Sequence, residues 1–451
     1  MTASTSSLHA RPCHTDQDSI ALRHKAPMTH GPCRRPGPRS SPRRSAVPYS
    51  TSLAAVVVAR GLMVGLLGLP AFAAQAFDGV EKQVFEMPSY TTLGGKTIAP
   101  VQVGWEAYGE LNAARDNAIL VTHYFSATSH AAGRYTEDDA APGYWDAIIG
   151  PGKAVDTDRY YVISSDTLVN LNAHDPRVTT TGPATLNPAT GEPWGTDFPV
   201  VTIGDFVNVQ AALLDELGIE RLHAVMGASM GALQAYEWAS AYPERVERLI
   251  PVIGSGVADP WLIASLDSWA MPIRLDAKWN GGDYYASEPP LDGLAESLRL
   301  VTLQANHWRW ADTAFDLSWA TPEADPAGDL DAEYAVEATL DDISAARAST
   351  ADANHLLYLV KANQTFIPGH DGDAAAGLAA IEAPTLILYS EDDLVFAPES
   401  VRETARLIAA DGTPVDLEVL KGDRGHIDGV VNIAQAAERI GDFLDAPVPS
   451  P

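Results

Sequence analysis

The sequence predicts an α/β fold: a mostly parallel sheet flanked by helices, with a helical cap inserted in its second half. Three observations carry this. From Phe77 onward, short β-branched runs alternate with amphipathic helical stretches, the pattern of parallel strands joined by crossover helices. Apolar residues make up 46% of the 451 residues, with 10 Trp and 15 Tyr, enough for a large core. Residues 259–379 then change character, holding six of the ten Trp in a helical stretch with acidic loops.

Strands are expected over Asn117–Phe125, Arg159–Asp166, Arg221–Ala228, Arg248–Ser255, Pro384–Glu391 and Val415–Gly422, where β-branched and apolar residues run together. Helices are expected over Asp205–Leu217, Ala232–Tyr242, Pro398–Ala410 and Val430–Leu444. In the first of these, Phe206, Val209, Leu213, Leu214 and Leu217 recur at helical spacing. Residues 77–258 and 380–449 thus form the core, with 259–379 between two strands as a cap. That position lies over the C-terminal edge of the sheet, where open α/β sheets place their sites. A Trp-rich insert is also what a packed helical subdomain requires, and the two roles are compatible.

The N-terminus differs. Residues 1–60 carry nine Lys/Arg against two Asp, although the whole chain has a net charge of −29. An acidic body with so few cations is a poor binder of nucleic acid or anionic membrane. Both cysteines, Cys13 and Cys33, lie in this basic segment, so the rest has no disulfide, thiolate metal site or cysteine nucleophile. The apolar run that follows ends in Ala71-Phe72-Ala73 and Ala74-Gln75-Ala76, small-x-small patterns of a signal-peptide cleavage site. Gly61–Leu69 is too short to span a bilayer. Residues 1–76 therefore read as a leader with a secretory signal cut near Ala76, making the protein secreted or periplasmic, with no stable membrane anchor afterwards. Translation from Met28, or from near Val58, gives a more ordinary signal. An uncleaved N-terminal helix on a cytoplasmic protein is the rival reading.

Gly227-Ala-Ser229-Met-Gly231 sits between an apolar strand and a helix, the context of a nucleophile elbow. The glycines permit a tight turn that holds the serine hydroxyl above the sheet. A serine hydroxyl needs a base, and the base an orienting acid. Both should follow later in the chain, acid before histidine. After Pro384–Ser390 come Glu391, Asp392 and Asp393, and after Val415–Gly422 comes His426. An oxyanion hole needs two backbone N–H groups. Met230, directly after the nucleophile, and the loop after Asn117–His123, around Phe125, are the expected donors. No metal site, phosphate loop or dinucleotide fingerprint is legible, and no cofactor is expected.

These residues resemble a known family. "GPGKAVDTDRYYVISSDTL", "GEPWGTDFPVVTIGDFVNVQAALLDELGI", "GASMGALQAYEWA", "WNGGDYY" and "GHIDGV" are similar to the homoserine O-acetyltransferase family of the α/β-hydrolase fold, over residues 80–445. The resemblance implies a ping-pong acyl transfer through an acyl-serine, with Ser229 as nucleophile, His426 as base and Asp393 as acid; Asp392 is the fallback. It also implies a homodimer.

The departures bear on the acyl acceptor. The family's arginine that clamps the amino-acid carboxylate falls on Ala270, leaving Arg274 as a displaced substitute. The family's aspartate after the catalytic histidine is Ile427 here. A carboxylate left without its partner costs roughly 2–5 kcal/mol, which makes homoserine a poor acceptor. The expected activity is therefore hydrolysis of a small-molecule, short-chain ester. An acyl-CoA-dependent O-acyltransferase is the first rival. A non-catalytic binding protein is the second.

Overall fold

Eight strands build one sheet, and six of them are the apolar runs anticipated above, paired side by side. They are β1 (Gln83–Met87), β2 (Val101–Tyr108), β3 (Ala118–Thr122), β4 (Tyr161–Ser165), β5 (Ala224–Ala228), β6 (Leu249–Val252), β7 (Thr385–Tyr389) and β8 (Val415–Val419). The computed structural model describes residues 79–369 and 372–448; the leader and its cleavage site near Ala76 lie outside them. The strand order is β1-β2-β4-β3-β5-β6-β7-β8. Only the β1–β2 and β2–β4 pairs are antiparallel. β3, β5, β6 and β7 are buried at every position. A sheet covered on both faces demands this, and it is why these strands read as unbroken apolar runs.

β1 and β2 were not anticipated. β2 carries Glu106 at its centre, fully buried, which breaks any apolar pattern. The charge is satisfied locally by Lys82 at 3.3 Å and His130 at 3.0 Å. β1 buries Phe85 and leaves its neighbours in the strand partly or fully exposed, so its signal is weak.

Helix α1 (Ile203–Glu216) starts earlier than its apolar periodicity does, because Thr202 and Asp205 form a capping box. Helix α2 (Met230–Ala241) is buried from Met230 to Ser240, packed against α1, β5 and β6. Between β6 and β7 come α3 (Pro260–Leu275), α4 (Leu291–Ala305), α5 (Trp308–Phe315), α6 (Ala335–Ala348), α7 (Ala353–Gln364) and α8 (Ala374–Ala379). The Asp259 side chain caps α3 by accepting from the Leu262 amide at 2.8 Å. α3 packs on α4 and α7, and α4 on α6. The tryptophans of this insert divide: Trp269 is buried, while Trp261 and Trp308 stay exposed.

After β7 comes α9 (Pro398–Ile408). The single helix expected over Val430–Leu444 is broken into α10 (Asp428–Val431), a 3-10 turn at Ile433–Ala436, and α11 (Ala437–Asp445). The buried Trp145 indole donates to the Gly429 carbonyl at 3.1 Å. That carbonyl is the acceptor a continuous helix would need for the Ile433 amide.

Candidate active site

β5 ends at Ala228 and α2 begins at Met230, which leaves Ser229 alone to make the turn. Its φ of 57° and ψ of −118° form a backbone conformation that side-chain-bearing residues rarely adopt. The turn is pinned by the Ser229 amide donating to Val252 at 2.9 Å, and by Ala232 and Leu233 amides donating back to the Ser229 carbonyl. Both flanking glycines are required by space. A Cβ on Gly227 would stand 2.1 Å from the Thr122 hydroxyl, and one on Gly231 would stand 2.1 Å from the Thr122 carbonyl.

The three side chains expected to act together meet. His426 Nε2 lies 2.9 Å from Ser229 Oγ, and His426 Nδ1 lies 2.8 Å from Asp393 Oδ2. All three are buried. The other Asp393 oxygen accepts from the Val395 and Phe396 amides at 2.8 and 3.0 Å, which fixes the carboxylate. The Phe396 ring stacks on His426, with centroids 5.7 Å apart. The neighbouring acids are engaged elsewhere: Asp392 pairs with Arg309, and Glu391 with Arg402 and Tyr389. Asp393, and not Asp392, is therefore the carboxylate bonded to His426.

Thr122 and Gly227 are partners in the β3–β5 register, so the loop after β3 and the elbow after β5 leave the sheet at one level. This brings the amides of Phe125 and Met230 to the same edge as Ser229. Neither amide donates to another protein atom among the described residues. Sequence reasoning did not anticipate how firmly the Phe125 loop is held. The Asn170 amide donates to His123 Nε2 at 3.2 Å and to the Ala127 carbonyl at 3.1 Å. Asn172 donates to Ser126, and Gln234 of α2 donates to the His123 carbonyl. His123 returns its Nδ1–H to the Tyr124 carbonyl at 2.8 Å. With one ring nitrogen donating and the other accepting, His123 is neutral; burial lowers its pKa from 6.5 to about 4.

A cavity of about 240 Å³ opens on Ser229 and His426. Apolar walls come from Phe125, Trp269, Val301 and Ile427, and Trp269 sets its ring edge-to-face against Phe125 at 5.5 Å. The cap thus shapes the site through α3, α4 and α6. A larger cleft of about 470 Å³, lined by Trp194 and Tyr285, contains none of the three catalytic side chains.

Arg274, the displaced substitute for a carboxylate clamp, does not line this cavity: it pairs with Asp267 at 2.8 Å on the outside of α3. Its turn of α3 directs it there, while Ala270 is fully buried. Two other arginines do line the cavity, Arg347 of α6 and Arg424. Arg424 stands two residues before His426, a signal available in the sequence. Arg347 lies in an alanine-rich helix far along the chain, and only tertiary packing reveals it.

Comparison with known proteins agrees with this geometry. Residues 168–432 match the alpha/beta hydrolase fold family. The chain is 39% identical over 354 residues to a homoserine O-acetyltransferase of Symbiobacterium thermophilum, covering 78% of this chain and 90% of that protein. It is 38% identical over 352 residues to the one of Methanosphaerula palustris, covering 78% and 70%. Among solved structures, esterase E22 aligns at 52% identity and a TM-score of 0.78, over 81% of this chain and 100% of its own. A homoserine O-acetyltransferase from Bacillus anthracis aligns at 36% identity and a TM-score of 0.78, over 83% and 100%. An elbow serine, a strand order and long shared motifs all lead to one conclusion: this chain belongs to the homoserine O-acetyltransferase-like family of the α/β-hydrolase fold.

Proposed function

We propose that the protein is a serine ester hydrolase acting on short-chain carboxylic esters, with water as acyl acceptor. The observation that carries this reading is the lining of the cavity. Among the described residues no Asp or Glu contributes to it, and the residue after the catalytic histidine is the apolar Ile427. An amino-acid acceptor such as homoserine brings an ammonium group that finds no counter-charge there, and desolvating an unpaired ammonium is costly. The 52% identity to a protein described as an esterase supports the same reading.

The chemistry follows from the hydrogen bonds. Ser229 Oγ attacks the ester carbonyl carbon while His426 Nε2 takes its proton. Asp393 accepts from Nδ1–H, which keeps Nε2 free to act as base and stabilises the imidazolium. The carbonyl oxygen becomes an oxyanion, held by the Phe125 and Met230 N–H groups; the N-terminus of α2 adds its positive dipole. The tetrahedral carbon then expels the alcohol, which leaves with the His426 proton. Water, deprotonated by His426, attacks the acyl-serine carbonyl; the C–O bond to Ser229 then breaks, His426 returns the proton to Ser229 Oγ, and the acid is released. No cofactor or metal enters any step.

Acyl transfer to an alcohol uses the same first half, and the acetyltransferase relatives favour it as the second reading. A secretory signal cut near Ala76 supports hydrolysis, since water is the acceptor always present outside the cytoplasm. N-terminal sequencing of the mature protein should begin near residue 77; an intact N-terminus would restore the cytoplasmic transferase. A fluorophosphonate probe and p-nitrophenyl acetate test the core of the proposal. The wild type should be labelled and hydrolyse the ester, and Ser229→Ala should do neither. An unlabelled wild type would mean a binding protein that has lost its chemistry.

A further inference from the structure

Two guanidinium groups face the cavity at Ser229, and among the described residues neither has a carboxylate partner. Arg347 Nη1 donates to the Thr302 hydroxyl at 2.7 Å. Arg424 Nε donates to the Asn306 side-chain oxygen at 2.7 Å, and its guanidinium lies 5.2 Å above the Trp310 ring. These neutral partners orient both side chains and leave their charge uncompensated. None of their nitrogens is sealed away without a partner, so the unused N–H groups are open to the cavity or solvent.

Composition makes this unusual. With 59 Asp and Glu against 30 Lys and Arg, a cation in this chain has acids in excess to pair with. Elsewhere arginines do so: Arg309 with Asp392, Arg402 with Glu391, Arg159 with Asp445. At the cavity the two arginines stand beside walls to which no acid among the described residues contributes. Arg347 is half-buried, and desolvation lowers its pKa from the ordinary arginine value. A guanidinium nonetheless stays protonated in proteins. Holding such a charge unpaired beside a nucleophile disfavours the empty site and favours an anionic ligand.

We infer that the cavity selects esters that carry a carboxylate and lack an ammonium group, with Arg347 and Arg424 binding the carboxylate. The planar fork of a guanidinium matches a carboxylate in two parallel hydrogen bonds. A volume of about 240 Å³ suits a short ester with one such group. An ammonium group would meet two guanidinium charges and no acid, which separates this ligand class from amino acids. The inference rests on the ester-hydrolase reading and adds its substrate class.

Matched esters test it, with the anion on either side of the ester bond. On the alcohol side, the acetyl ester of 4-hydroxybutanoate is compared with that of 4-hydroxybutanamide; O-acetylhomoserine is the first with an ammonium added. On the acyl side, the mono-p-nitrophenyl ester of adipic acid is compared with p-nitrophenyl hexanoate. The wild type should favour the carboxylate in at least one pair by about tenfold to a hundredfold in kcat/KM, mainly through KM. The pair that shows the preference identifies the side that carries the anion. O-acetylhomoserine should lose that advantage. Arg347→Gln and Arg424→Gln should each bring the ratio toward one, and Arg347→Lys should keep part of it. Each ratio comes from a single preparation, so a loss of folded protein cancels. Ratios near one in both pairs, or ratios that both glutamine variants leave unchanged, would overturn the inference. If the wild type cleaves none of these esters, the ester-hydrolase reading falls and the substrate class with it.

Discussion

Asp393 reaches His426 through one 2.8 Å hydrogen bond, and its second oxygen is held by two backbone amides. Replacing Asp393 by Asn keeps the shape and permits the wrong imidazole tautomer, with the proton on the nitrogen that must act as base. The expected loss in kcat is roughly 10⁴-fold with a small change in KM. The parallel change Asp392→Asn removes a partner of Arg309 outside the triad and should leave kcat within about a few fold. Steady-state kinetics on p-nitrophenyl acetate distinguish the two; equal losses would mean that the acid has been misassigned. At this scale the sequence carried much of the answer. The order serine, acid, histidine and the elbow glycines were legible, because the chemistry demands those residue types in that context. Arg347 was not legible, since an arginine in a helix acquires its role only from what packs opposite. Arg274 failed for the same reason, as its direction depends on the turn of α3 it occupies.

The loop from His123 to Ala127 is the element on which the proposed oxyanion hole depends, and it has no regular structure of its own. Its order comes from the Asn170, Asn172 and Gln234 side chains that bind its carbonyls. Asn170→Ala removes bonds to both His123 Nε2 and the Ala127 carbonyl, leaving buried acceptors unpaired. The variant should lose about 1–3 kcal/mol of stability, and kcat more than KM, because Phe125 N–H drifts from the position the oxyanion occupies. Thermal unfolding with kcat and KM on one ester checks this; a stable variant with unchanged kcat would show that the loop is set by other contacts. Elements differed in legibility for definable reasons. β3, β5, β6 and β7 announced themselves as apolar runs because both faces are covered. β2 was concealed by a buried ion cluster around Glu106, and the break between α10 and α11 by a side-chain donor 284 residues away in sequence, Trp145.

Across the whole molecule, acid should be destabilising well before carboxylates titrate. His123 and His355 are both fully buried and neutral. The Ala184 amide donates to His355 Nε2 at 3.1 Å and His355 Nδ1–H donates to Asn170 at 2.7 Å, so a second proton has no acceptor. Burial lowers the pKa of each, that of His123 to about 4. The unfolded chain takes up these protons near the ordinary 6.5 and the folded chain does not. Stability is therefore constant above that pH from these groups and falls as pH drops below about 6.5, for His123 down to about 4, by at most ~1.4 kcal/mol per pH unit for each. His174, hydrogen-bonded to Asp352 with a raised pKa, opposes part of this. Urea midpoints measured from pH 8 to pH 5 should decline below about 6.5; a flat profile would mean that these histidines are protonated in the folded state.

The acyl group on Ser229 passes either to water or to an alcohol, and that choice separates hydrolase from transferase. The purified protein would be given p-nitrophenyl acetate with and without L-homoserine, and free acetate and O-acetylhomoserine counted by mass spectrometry, with Ser229→Ala as the blank. Acetate alone, in amounts that homoserine does not change, is the predicted result. Abundant O-acetylhomoserine would contradict it, and would mean that Arg347 or Arg424 serves an amino-acid acceptor despite the apolar Ile427 that follows His426.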